Sequence, residues 1–268
     1  MSPVALVRDL RLHLRAWERH RVRFGVVCSR HRLPLCRPLF SAACTGLPAA
    51  DLSLLDRTDP GIALSVIVPD DSLICRFSYG HPNPRWRGKR NPHFLKGKRF
   101  AEFLRVMPGP VQAVILPISQ IYRTEEMKID TLVGLMDAFF RTLPDALRYA
   151  VEIQNSGYLL PGYFDLMVRH DIAHVLNDSA AMPSLLDQIQ IPQVLTAHHV
   201  VVRTTAANMP EWKLGLLEIV RRCVSEKKKL SVYLAEGETI SVESAMTGLM
   251  ELLSPDLAKL SPLRRTAA

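Results

Sequence analysis

The sequence predicts an α/β protein folded as a TIM-type (β/α) barrel. Short apolar, β-branched runs recur from residue 62 onward, and helical segments with one apolar face lie between most of them. Strands that alternate with helices of this length are typical of β/α crossovers in a parallel sheet. About seven predicted strands fit either a closed barrel or an open doubly wound sheet. No glycine-rich phosphate motif follows a predicted strand, which favours the barrel.

The chain before residue 60 has weaker patterns. An apolar stripe of Leu6, Leu10, Leu14 and Trp17 predicts an amphipathic helix over residues 4–20. Residues 30–60 have little periodicity, so we expect the first two β/α units to be incomplete or irregular. We therefore expect an N-terminal segment (1–59), a barrel domain (60–255) and a flexible tail (256–268).

The elements of the barrel domain follow from residue spacing. Strands are expected at residues 62–68, 73–79, 111–116, 149–153, 173–177, 199–203 and 230–234. Helices are expected at residues 127–142, 211–227 and 241–253, where apolar side chains recur every three to four positions.

Composition excludes several classes of protein. The chain is 48% hydrophobic and 22% charged, which is typical of a globular protein. No apolar run approaches the roughly 18 residues of a membrane helix. Charged residues interrupt the first twenty positions, so we predict no secretory signal and a cytoplasmic location. The five cysteines include no C-x-x-C pair and indicate neither a disulfide framework nor a zinc ribbon.

The strand at residues 149–153 supplies the first candidate site residue. Side chains alternate along a strand, so Ala150, Glu152 and Gln154 share one face while Val151 and Ile153 share the other. If the apolar face meets the helices, Glu152 points into the barrel mouth, where it could act as acid, base or ligand. A structural carboxylate, hydrogen-bonded inside the barrel, is an equal alternative.

A basic loop after the second predicted strand is the next candidate. Residues 80–99 contain no acid, and their cations and rings are Arg85, Arg87, Lys89, Arg90, Lys96, Lys98, Arg99, His81, Trp86, His93 and Phe94. Clustered cations suit phosphate or a nucleic-acid backbone, and a ring can stack on a base. The net charge of +8 also favours anionic partners. A solvated loop without a ligand is the alternative, and Asn91 joins the candidate contacts.

Polar residues at later strand ends complete the candidate set. Gln154 and Asn155 follow the strand at 149–153, Asn177 ends the next strand, and Arg203 ends the one after it. In a parallel barrel, ligands bind at the carboxyl ends of strands. Each of these residues could equally form a turn or a salt bridge. Arg203 is the cation best placed to pair with Glu152.

The histidines do not predict a metal site. His170 and His174 straddle a helix end and a strand, so we expect one to cap the helix and the other to pack in the sheet. His198 and His199 are adjacent in a strand, so their rings point to opposite faces and at most one lies in a pocket. No G-x-S-x-G motif or other activated nucleophile is evident, and the sequence identifies no cofactor.

Several ordered motifs resemble the YecE-like family, domain of unknown function seventy-two. They are Val68-Pro69-Asp70-Asp71, Arg90-Asn91-Pro92-His93-Phe94-Leu95, Tyr149-Ala150-Val151-Glu152-Ile153 with Asn155, His170-Asp171-Ile172-Ala173-His174-Val175, and Met182-Pro183. The resemblance covers about residues 60–255 and implies a TIM-type barrel whose biochemical activity is unknown. Gln154 departs from it, because the family usually has Arg at this position.

Two functions remain open. The first is an enzyme, or a pocket derived from one, that acts on an anionic, phosphate-bearing ligand at the carboxyl ends of the strands. The second is a non-catalytic barrel that presents basic surface to nucleic acid or another polyanion. A metal requirement would favour the first, and a steep salt dependence with many polyanions would favour the second. Neither the oligomeric state nor the reaction is predicted.

Overall fold

The computed structural model of the chain describes residues 22–28, 38–41, 64–67, 73, 75, 79, 83–85, 87–92, 94–96, 111–118, 128–205 and 209–235. Its strands are β1 Val22–Cys28, β2 Pro38–Ser41, β3 Leu64–Ile67, β4 Val111–Ile118, β5 Tyr149–Ile153, β6 Ala173–Asn177, β7 His199–Thr205 and β8 Lys229–Ala235. Its helices are α1 Ile129–Phe140, α2 Pro161–Arg169, α3 Leu185–Gln190 and α4 Met209–Ser225, with a 3-10 helix at Ser156–Tyr158.

All strand pairs are parallel and follow chain order. Each strand from β1 to β7 pairs with the next, and β8 pairs with β1, so the order is closed. In the registers that matter below, Pro117 of β4 is opposite Glu152, and Asn177 of β6 is opposite Arg203. The predicted α/β class with a parallel sheet is confirmed. Strands β1 and β2 lie in the segment for which the sequence predicts no strand.

Six of the seven predicted strands correspond to β3–β8, but the strand predicted at residues 73–79 is wrong where the structure describes it. Leu73, Cys75 and Tyr79 have 3-10, bend and turn conformations. The backbone N–H of Asn91 donates to the carbonyl of Cys75 at 2.8 Å, and Leu73 and Cys75 are buried. Leu73 and Cys75 therefore pack on the core although they belong to the connection between β3 and β4. Their burial explains why the apolar pattern of this segment resembles that of a strand.

The side chains of the sheet form two apolar layers. Alternate strand positions, together with Ala197 in the segment before β7, contribute an inner cluster of Ile115, Ala150, Ala173, Val175, Ala197, Val201 and Tyr233. The intervening positions, among them Val151, Ile153 and Val202, belong to the larger cluster that includes Leu132 and Met136 of α1. The alternation predicted for β5 is thus confirmed, and Glu152 shares the inner face of Ala150.

Local sequence signals fix the helix ends that surround this sheet. Pro161 opens α2 at a position that needs no backbone N–H. The Ser184 hydroxyl caps α3 by accepting from the N–H of Asp187 at 3.1 Å. Helix α4 packs closely on α3 at Gly215, where a Cβ would lie 2.5 Å from the backbone nitrogen of Leu186.

Some predicted segments lie outside the described residues. These are the helices predicted at residues 4–20 and 241–253 and the tail at residues 256–268. Within the part that the structure describes, no helix is long and apolar enough to cross a membrane.

Candidate functional site

Glu152 and Arg203 form an ion pair near the carboxyl ends of their strands. Glu152 is the fourth of five residues in β5, and Arg203 is the fifth of seven in β7. Nη1 of Arg203 donates to Oε2 of Glu152 at 2.5 Å. The cation expected to pair with Glu152 is therefore the one that does so.

The two members of this pair differ in exposure. The side chain of Glu152 is 3% exposed, whereas that of Arg203 is 28% exposed. Among the described residues, Glu152 is the one hydrogen-bond partner of the Arg203 side chain. A guanidinium carries five N–H donors in a planar fork. The buried carboxylate therefore orients the guanidinium, whose other N–H groups have no partner among the described residues.

The side chain of Asn177 forms hydrogen bonds within the protein. Its amide nitrogen donates to the carbonyls of Ile153 and Val175 at 3.1 and 3.3 Å, and its amide oxygen accepts from the N–H of Ser179. Its backbone is held by Gln188, whose side chain bonds both the N–H and the carbonyl of Asn177. These contacts favour the turn role over the ligand role for Asn177.

Gln154 and Asn155 follow β5 at the same end of the sheet. The Asn155 side chain accepts from the N–H of Gly157 at 3.0 Å and so caps the 3-10 helix. Gln154 is half-buried and has no hydrogen-bond partner within the described parts of the chain. Of the two, Gln154 has the amide that a ligand at this position could use.

The cations of the basic loop are exposed where the structure describes them. These cations are Arg85, Arg87, Lys89, Arg90 and Lys96. Asn91 is buried, at 4% exposure, and its backbone N–H anchors the loop to Cys75. Asn91 therefore supports the loop, while His93 lies outside the described residues.

Of the rings predicted near these cations, the structure describes Phe94, whereas His81, Trp86 and His93 lie outside the described residues. Phe94 is 6% exposed and belongs to the apolar core, so it is not available to stack on a base. Tyr79 is 80% exposed, although the sequence pattern placed it at the end of a buried strand. The following Gly80-His81-Pro82 is a turn signal and was the one indication that this strand does not continue to Tyr79.

The base of the basic loop lies near the segment that follows β5. Tyr158, in the 3-10 helix that follows β5, has its pKa raised by burial and also by the nearby Cys75 thiol. The backbone carbonyl of Cys75 accepts the N–H of Asn91 at 2.8 Å. The base of the basic loop therefore lies near the 3-10 helix that follows β5.

His170 and His174 have the two separate roles expected from their spacing. His170 follows the last residue of α2, and its Nε2 lies 2.7 Å from Oδ1 of Asp137 on α1. This bond, with Arg141 and Arg169 nearby, lowers the pKa of Asp137. His174 packs edge-on against Tyr163 and Phe164 in the outer layer of β6.

Burial makes His174 a neutral side chain at ordinary pH. Its Nδ1 lies 2.9 Å from the Tyr163 hydroxyl, and both side chains are fully buried. Desolvation lowers the pKa of His174 to about 4, against a smaller opposite effect of Gln188. The same burial raises the pKa of Tyr163. This pair belongs to the core and not to a ligand site.

The adjacent His198 and His199 point to opposite sides, as strand alternation requires. His198 is exposed, whereas His199 is 5% exposed and its Nε2 lies 3.0 Å from the hydroxyl of Ser231 on β8. His199 begins β7, so this contact lies at the amino end of the sheet. Among the described residues, no three His, Cys, Asp or Glu side chains are grouped as metal ligands.

The fold and this polar strand end define an α/β protein with a parallel sheet and a charged pair at its carboxyl end. A family model described as "Protein of unknown function DUF72" matches residues 90–264. The chain therefore belongs to the DUF72 family, for which YecE-like is another name. No significant match is found among curated proteins.

Solved structures of this family share the fold. A DUF72 family protein from Thermotoga maritima MSB8 is 12% identical with a TM-score of 0.52, and the match covers 88% of this chain and 99% of that one. Two structures of a DUF72 family protein from Enterococcus faecalis V583 are 14% and 13% identical, with TM-scores of 0.53 and 0.55. These matches cover 88% and 92% of this chain, and 97% and 99% of those chains.

Proposed function

We propose that the chain is a TIM-type barrel that binds an anionic, phosphate-bearing ligand at the carboxyl ends of its strands. The observation that carries this proposal is the ion pair in which buried Glu152 holds the partly exposed guanidinium of Arg203. The fixed, planar fork of a guanidinium matches the oxygens of phosphate, which it can bind through two parallel hydrogen bonds. Arg203 is the proposed central contact.

The charge balance explains why the basic loop belongs to the same proposal. Glu152 and Arg203 together carry no net charge, so the pair alone attracts an anion weakly. Arg85, Arg87, Lys89 and Arg90 add exposed positive charge, and the base of their loop approaches the 3-10 helix that follows β5. Cations around a site raise the local concentration of an anionic ligand. Gln154 is the proposed neutral contact.

The ion pair between Glu152 and Arg203 also limits the chemical role of Glu152. The Glu152 carboxylate accepts the hydrogen bond from Arg203. Glu152 is therefore proposed chiefly as a positioning residue for Arg203, and a role as general base requires the ligand to draw Arg203 away from it.

A calorimetric titration with inorganic pyrophosphate at low salt tests this function. We expect the wild-type protein to bind, and Arg203→Met to bind at least about tenfold more weakly, as the loss of one charge-assisted contact implies. Arg148→Met is the matched control, because Arg148 is an exposed arginine just before β5, at the opposite end of the sheet. Equal pyrophosphate affinity of the Arg203 variant and the wild type would contradict the proposal.

The second candidate function is non-catalytic binding of a polyanion. The five exposed cations of the acid-free loop favour it independently of Arg203. In this case affinity depends on the number of phosphates neutralised and falls steeply with salt. Heparin binding that Arg203→Met leaves unchanged, with no pyrophosphate binding, would favour this function over the first.

A further inference from the structure

Tyr79 and Gly88 form a contact beside the exposed cations of the basic loop. Tyr79 is 80% exposed, the largest exposure among the described large hydrophobic residues. Three consecutive carbons of its ring, Cδ1, Cε1 and Cζ, lie against Gly88, as the positions around this glycine show. One edge of the Tyr79 ring thus packs against the backbone of Gly88, while most of the ring surface faces solvent.

The contact requires glycine for two reasons. Gly88 has a φ of +64°, in the left-handed region that other residues rarely adopt. A Cβ at this position would lie 2.5 Å from Cε1 and 2.9 Å from Cζ of Tyr79. A side chain at position 88 would therefore displace the Tyr79 ring from this contact.

Among the residues that the structure describes near Gly88 in the loop, the charges are of one sign. Arg87 and Lys89 flank Gly88 in sequence, and Arg85 and Arg90 are exposed within three residues of it. Within the described ranges, Arg85, Lys89 and Arg90 have no carboxylate partner. An exposed ring beside Arg85, Lys89 and Arg90 matches a ligand with both flat, apolar faces and regularly spaced negative charges.

We propose that Tyr79 is a stacking platform for an unpaired base of a single-stranded nucleic acid, whose phosphates contact the loop cations. This inference deepens the polyanion-binding function and rests on it. Stacking on aromatic rings beside a basic groove is how proteins bind single strands without reading sequence. A duplex hides its base faces, and a bare phosphate has no ring to stack, so neither uses the exposed Tyr79.

Fluorescence anisotropy with two labelled strands tests the proposal. One is a short oligothymidylate, and the other has the same length and charge but abasic positions at its centre. We expect the wild-type protein to prefer the strand with bases by about tenfold, the contribution of one stacked base. Tyr79→Ala should remove this preference without changing affinity for the abasic strand. Tyr79→Phe, which keeps the ring, should retain the preference.

Gly88→Ala provides a second variant that changes no charge. It should displace the ring and reduce the preference for the strand with bases, while circular dichroism reports an unchanged fold. If wild-type protein binds both strands equally, or if Tyr79→Ala keeps the preference, the stacking proposal is wrong although polyanion binding stands. If neither strand binds at low salt, polyanion binding fails and the stacking proposal fails with it.

Discussion

The guanidinium of Arg203 on β7 bonds the carboxylate of Glu152 on β5, so the ion pair spans the strand that lies between them. Strand β6 separates β5 from β7 in the sheet, and Asn177 is opposite Arg203 in register. Asn177 bonds the carbonyl of Ile153 at 3.1 Å. The strands that carry the pair are therefore also tied through β6, which fixes the distance between the two charges.

The first prediction is an asymmetry in stability between the two halves of this pair. Arg203→Met leaves a carboxylate that is 3% exposed without its cation, whereas Glu152→Gln leaves an arginine that is already 28% exposed. An uncompensated buried charge costs several kcal/mol. We expect urea unfolding to show losses of about 2–3 kcal/mol for Arg203→Met and about 1 kcal/mol for Glu152→Gln. Equal losses would mean that Glu152 is solvated in the native state.

The second prediction concerns Gln154, the position at which the family resemblance leads us to expect an arginine. Gln154 directly follows β5 and is two residues from Glu152, so an arginine at this position can approach Glu152 from its own strand. In an Arg203→Met background, Gln154→Arg should restore at least half of the lost free energy of unfolding. Gln154→Met is the control with a long uncharged side chain. A double variant no more stable than Arg203→Met would place position 154 away from Glu152.

The third prediction concerns the pH dependence of stability. The pKa of His174 in the folded protein is lowered to about 4, so as pH falls below the ordinary value of 6.5 only the unfolded chain takes up a proton there. The stability that neutral His174 contributes is thus present above pH 6.5 and is lost progressively toward pH 4. We expect this residue to account for about 2 kcal/mol of loss between pH 7.5 and pH 5.

His174→Gln tests this assignment, because glutamine keeps a hydrogen-bonding partner for the Tyr163 hydroxyl but does not titrate. Its unfolding free energy should change less between pH 7.5 and pH 5 than that of the wild type, by about 2 kcal/mol. An identical pH dependence for both proteins would mean that His174 is protonated or solvated in the native state.

The fourth prediction concerns the basic loop. Arg87→Ala, Lys89→Ala and Arg90→Ala together should reduce the slope of log affinity for heparin against log salt by up to about three, roughly one for each lost phosphate contact. The three side chains are exposed, so we expect a change of stability within about 0.5 kcal/mol. A control variant replaces Arg141, Arg148 and Arg221, which are exposed and lie toward the amino ends of the strands. Similar slopes for the two triple variants would indicate that only net charge matters.

The sequence predicts most of the sheet because the strands β3–β8 are short apolar runs between turns or helices. It also predicts the inner face of β5 and the partner of Glu152, since strand alternation and the shared carboxyl end are geometric rules. The segment at residues 73–79 could not be separated from a strand, because burial of Leu73 and Cys75 against the core produces the same pattern. The spacing of apolar residues indicates which side chains are buried, but it does not indicate whether the segment pairs with a neighbouring strand.

The candidate site was predictable in part for a similar reason. The cations of the basic loop can be read from the sequence, and those that the structure describes are exposed. The exposure of Tyr79 and the burial of Phe94 could not be predicted, because they depend on the path of a loop whose sequence has no periodicity. The internal hydrogen bonds of Asn177 likewise depend on Gln188, a residue of the following helix that no strand rule brings to it.

The most direct test of the anion site is an NMR titration of arginine side chains with inorganic pyrophosphate. The account predicts that the guanidinium resonance of Arg203 shifts in a saturable way, and that Glu152→Gln reduces this response because the guanidinium loses its fixed orientation. Arg148 should show no saturable shift in the same spectra. An Arg203 resonance that does not move, while those of Arg85, Arg87 and Arg90 do, would contradict the proposed site at the carboxyl ends of the strands.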